Sequence, residues 1–132
     1  MKIAKKIKTI LCDDVRQEVG GKMSLMGIYS KDIVVNKVPA ILPFINLVVM
    51  FEDIKEPFAN LFVSVITPKL KPIQVSYPAP PGLEKGKDAN IIIGLSPFRL
   101  NAIGPAKFEI RFSENEKARI VHRFSIKTSD EM

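Results

Sequence analysis

Cysteine is almost absent from this chain: Cys12 is the single thiol in 132 residues. An internal disulfide framework is therefore excluded, and a lone cysteine fits a reducing compartment, here expected to be the cytoplasm. Histidine is equally scarce, with only His122, so no zinc-ligand spacing exists. Tryptophan is missing. The glycines form no phosphate-cradling or dinucleotide-binding fingerprint. No cofactor is expected. Long apolar runs are missing too. The stretch Val38 to Phe51 is interrupted by Pro39, Pro43 and Asn46, which makes it too short and too broken to cross a bilayer. The basic start, MKIAKKIKTILCDD, lacks the apolar core of a signal peptide. No segment keeps a helical apolar period over three turns, and ten dispersed prolines break up long helices.

Alternation is what the chain has instead. Lys5 to Cys12 reads as extended, Gly20-Gly21 as a tight turn, and Lys22 to Val35 as a β-rich run. In Pro43 to Asp53, Ile45, Leu47, Val49 and Phe51 fall on one face. FANLFVSVITP, KPIQVSY and ANIIIGL continue the series, with Pro78 to Asp88 a loop by composition. The clearest hairpin is AKFEIRF, SENEK, ARIVHRFSIK. Strict alternation puts Ile120, His122, Phe124 and Ile126 on its apolar face, and Arg119, Val121 and Arg123 on the other. Short strands without intervening helices predict one domain, residues 1–132, folded as an all-β, immunoglobulin-like antiparallel β-sandwich of about seven or eight strands.

The stretch LCDDVRQEVGGKMSLMGIYS holds the densest chemistry. Cys12 as a nucleophile would need a base, and His122 is the only histidine. Free cysteine is among the most buried residue types, so an inert core thiol is expected. Asp13, Asp14 and Glu18 offer carboxylate oxygens for a divalent cation, yet their spacing matches no calcium loop. The reading preferred here is structural: an aspartate ends the strand and accepts turn N–H groups, Arg16 pairs with Glu18 or an aspartate, and Gly20, Gly21 and Lys22 make the corner. No catalytic residue and no metal ligand is assigned.

The chain also resembles a family of small uncharacterised bacterial proteins classed as a domain of unknown function. The resemblance rests on four pieces in order: the Cys12-Asp13-Asp14…Arg16…Glu18…Gly20-Gly21-Lys22…Gly27 segment closing on an aromatic; LPFINLVVMFE; PPGLEKG; and the glycine-led hairpin from Gly104 to Ile126. The doubled glycine and the sequence GPAKFEI depart from the family pattern. The resemblance implies an all-β domain and no activity.

Two surfaces remain. If alternate residues of Pro43 to Asp53 fill the core, Phe44, Val48 and Met50 face outward, and Met26 and Ile28 raise the same question. Either the loop Pro78 to Asp88 covers them or a second copy or protein partner does. The net charge of +6, the N-terminal Lys2, Lys5, Lys6 and Lys8, and a cluster of Arg111, Arg119 and Arg123 on the outer hairpin face, with Lys107, Lys117 and Lys127 near its ends, permit polyanion or nucleic-acid binding. Interleaved aromatics for base stacking are missing there, so nucleic acid is not favoured. No membrane association is expected. The first expectation is therefore a non-catalytic, self-associating interaction module. Polyanion binding comes second, and a metal-dependent hydrolase on Asp13, Asp14 and Glu18 third.

Overall fold

A computed structural model describes residues 2–129. The chain is all-β, and the described residues contain no α-helix. The strands are β1 (Ala4–Gln17), β2 (Met23–Tyr29), β3 (Asp32–Val35), β4 (Ala40–Leu42), β5 (Ile45–Ile54), β6 (Asn60–Ile66), β7 (Ile73–Pro78), β8 (Ala89–Leu95), β9 (Phe98–Leu100), β10 (Gly104–Arg111) and β11 (Arg119–Thr128). One sheet has the order β2-β1-β5-β8 and another β3-β11-β10-β6-β7. A short ribbon pairs β4 with β9.

Alternation predicts the core correctly along β5, where Ile45, Leu47, Val49 and Phe51 are all buried. They meet Leu61, Val63 and Val65 of β6 and Phe108 and Ile110 of β10 in one hydrophobic cluster. Each such side chain contributes about 1.5–3 kcal/mol through its removal from water. Phe51, Phe58 and Phe112 pack at ring separations of 4.9–6.2 Å near the end of β5. The loop between β7 and β8 sits at that end. Ile54 donates to Lys87 O at 2.9 Å, Gly86 donates to Ile54 O at 2.7 Å, and Leu83 packs against the core. The loop therefore packs against that end of the sandwich.

Several details correct the sequence reading. There are more strands than anticipated, because β4 and β9 are only three residues each and carry no periodicity. The run Lys22 to Val35 is not one strand. It splits at Ser30-Lys31 into β2 and β3, which belong to different sheets. The arrangement is not purely antiparallel, since β3 runs parallel to β11. Asp13 and Asp14 do not end a strand: β1 continues to Gln17, and the turn follows at Glu18 to Lys22, with Gly20 and Gly21 at φ +89° and +77°.

The terminal hairpin holds the correction with most consequence. The pairs Lys107↔Arg123 and Phe108↔His122 keep one register, but Glu109 then faces Ile120 and Ile110 faces Arg119. Val121 is the extra residue of a β-bulge, and it packs against the core. Residues before the bulge swap faces. Ile120, expected inside, is 39% exposed. Arg119, expected outside, turns to the side of Ile110 and lies 5.2 Å from the Phe112 ring.

Candidate functional site

The acidic corner is built by the pairing of β1 with β2. Asp13 lies opposite Gly27, and the Tyr29 hydroxyl donates to Asp13 Oδ1. Gly27 has φ +67°, and a Cβ there would come within 2.8 Å of Asp13 Cγ. The glycine is thus required both by its backbone and by the carboxylate packed over it. Asn46 of β5 donates its side-chain amide to Asp13 O at 2.8 Å. Burial first, then the hydrogen bond and charge of Asp13, push the Tyr29 phenol well above its ordinary range.

The neighbouring acids have separate tasks. Asp14 accepts from the Val15 N–H at 2.9 Å and lies 3.7 Å from Arg16 Nε. Glu18 accepts from the Ser24 hydroxyl at 3.1 Å. Among the described residues no three His, Cys, Asp or Glu side chains converge on a metal position. Lys22 closes the turn through its carbonyl, which accepts from the Glu18 N–H at 2.7 Å.

Cys12 is fully buried, as expected for an inert thiol. Burial raises its pKa, the charges of Asp13 and Asp14 add to this, and its Sγ lies 3.6 Å from Asp14 O. His122 belongs to the other side of β1. Thr9 donates its hydroxyl to Val121 O at 3.0 Å, and His122 Nδ1 sits 2.9 Å from Thr9 Oγ1. With the threonine hydrogen committed, Nδ1–H donates to Thr9. Burial lowers the imidazole pKa. Thr9 pairs with core-facing Val49, whereas Cys12 pairs with Asn46 on the opposite face. Cys12 and His122 are therefore not brought together.

The outer face of the β2-β1-β5-β8 sheet carries an apolar row bordered by rows that include Asn46 on one side and Lys8 and Asn90 on the other. Ile10, Val48 and Ile92 form one cross-strand row, and Ile28 and Cys12 pair in the next. Val48 was expected to be accessible; instead it is fully buried, because its cross-strand partners are Ile10 and Ile92. Met50, opposite Lys8 and Asn90, is half-buried. Ile28, Phe44 and Met26 are 59%, 48% and 46% exposed. Residues 13–17 of β1 pair only with β2, because the pairing with β5 stops at Cys12↔Asn46. That hairpin arm carries Val15, Met23 and Leu25 outside the core cluster.

The three arginines do not form one cluster. Arg111 stacks over Phe62 at 4.9 Å and donates to Ser113 O and Glu114 O. Arg119 is turned inward by the bulge and bound to Glu116 at 2.9 Å. Arg123 is exposed opposite Lys107. Sequence reasoning missed the Thr9–His122 link and the role of Gly27, and it placed Lys107 near the hairpin arginines without pairing it with Arg123. Only that pairing had a local signal, since simple pairing about Asn115 places residues 107 and 123 together.

These features define an all-β protein of packed sheets whose densest chemical motif is a structural corner. The chain belongs to a family of unknown function (DUF6941), whose model matches residues 8–125. Comparison with curated proteins and with solved structures found no match.

Proposed function

We propose that this protein is a non-catalytic interaction module that self-associates through β2 and the adjoining outer face of its sheet. The observation that carries the reading is the edge strand β2. It is seven residues long, has no charge and no proline, and exposes Met26 and Ile28. Edge strands are normally guarded by lysine, proline or brevity, and an unguarded one pairs readily with another chain. The arm it forms with β1 has one neighbour only, and two-stranded hairpins are marginal alone. Packing a second copy against Met26 and Ile28 would support the arm and cover the row from Ile10 to Ile92.

The finer fold assignment belongs to the same reading. We read the packed sheets, ordered β2-β1-β5-β8 and β3-β11-β10-β6-β7, as an immunoglobulin-like sandwich, and that reading is supported by the opposition of two largely antiparallel sheets around one core. The buried lone thiol fits a cytoplasmic setting. No helix among the described residues is long and apolar enough to cross a membrane.

Light scattering coupled to size exclusion tests the reading. The wild type is expected as a dimer or larger at low and high salt, and Met26→Glu with Ile28→Lys as a monomer. A wild-type monomer at every concentration would refute self-association.

A further inference from the structure

The other sheet carries a cross-strand juxtaposition of like charges, of which only one partner has a carboxylate. Lys107 and Arg123 stand directly opposite each other on the outer face of β10 and β11. Like charges in that position cost stability. Glu109 holds Lys107 Nζ at 3.0 Å, but Arg123 forms no ion pair within the described residues. Two open surface pockets share Pro105, Ala106 and Arg123 in their linings. One, of about 220 Å³, runs over Pro105 and Ala106 between Ile66, Lys107 and Arg123. The other, of about 340 Å³, lies between Arg123, Ser125 and Lys31. Asp32 also borders it, but Lys127 neutralises that carboxylate at 3.3 Å.

We propose that this double groove binds a small ligand carrying two adjacent phosphoryl groups, one seated between Lys107 and Arg123 and the other between Arg123 and Lys31. A guanidinium presents five donors in a plane and can serve anions at two edges at once. Lys107 has three donors, so it can keep Glu109 and still meet a phosphoryl oxygen. The Ser125 hydroxyl adds a neutral donor in the second cavity. An anion here gives Arg123 the counter-charge that Glu109 already gives Lys107. A nucleic-acid strand fits less well: Phe108 and Phe124 of these strands are buried and give no stacking platform. The groove lies on the sheet opposite the proposed self-association face, so the two readings stand or fall separately.

Titration calorimetry of the full chain with inorganic pyrophosphate at low salt decides it. One-site binding is expected, weakened about tenfold by Lys31→Gln or Lys107→Gln and more by Arg123→Gln, as for loss of charge-assisted hydrogen bonds. Arg111→Gln, on the same face but outside the groove, should bind as wild type. Arg123→Gln should also melt higher than wild type without pyrophosphate and gain nothing when it is added. Three results would overturn the proposal. They are no saturable heat up to ~10 mM ligand, an equal loss in Arg111→Gln, or orthophosphate binding as tightly as pyrophosphate. The second would mark a diffuse polyanion surface, and heparin retention by all variants alike would mark the same.

Discussion

Cys12 and His122 carry the most reactive side chains, and β1 holds them on opposite faces. The Cys12 thiol is buried, and both burial and its acidic neighbours disfavour the thiolate. A disulfide reagent should therefore leave the native protein unmodified at mildly alkaline pH and label it fully in denaturant. Rapid labelling of the folded protein would contradict the assigned burial. His122 gives a pH dependence of definite sign. Its folded pKa lies below the ordinary 6.5, so the unfolded chain takes up a proton first as pH falls. The contribution is complete above pH 6.5 and is lost as pH drops toward the folded value. Urea midpoints above and below pH 6.5 should differ for the wild type, and His122→Gln should remove that part of the difference.

At the scale of elements, the β1–β2 corner shows why a dense acidic motif need not be catalytic. Asp13 packs over Gly27 and accepts from Tyr29, while Asp14 and Glu18 bind locally. Gly27→Ala forces a side chain into positive φ and against the Asp13 carboxylate, so it should cost about 1–3 kcal/mol in urea unfolding. Asp13→Ala on that background should recover only the clash, leaving the backbone cost. The bulge at Val121 is the second lesson. One unpaired residue turns Arg119 onto Phe112 and exposes Ile120. Simple alternation reads β10 and the stretch His122 to Ile126 correctly, and Arg119 to Val121 wrongly. Bulges arise from pairing and twist, and the local sequence carries no mark of this one.

For the whole molecule, the two sheets divide the surface between an apolar side at β2 and a cationic groove at Arg123. Val48 and Ile28 separate stability from association on the apolar side. Val48→Thr places a hydroxyl in a fully buried position and should cost about 1–3 kcal/mol by urea unfolding. Ile28→Lys, on an exposed edge, should stay within about 0.5 kcal/mol for the monomer while changing the oligomer. Period-two patterning was enough to specify the all-β class, the β5 core face and the terminal hairpin, because burial on one face of a strand imposes that period, while the buried thiol followed from the apolar character of cysteine. The partition of Lys22 to Val35 between two sheets, the parallel seat of β3 against β11 and the bulge were decided only in three dimensions. So were the burial of Val48 and the placing of Lys107 and Lys31 each beside Arg123. Each depends on which distant strand lies alongside, and no local propensity encodes that.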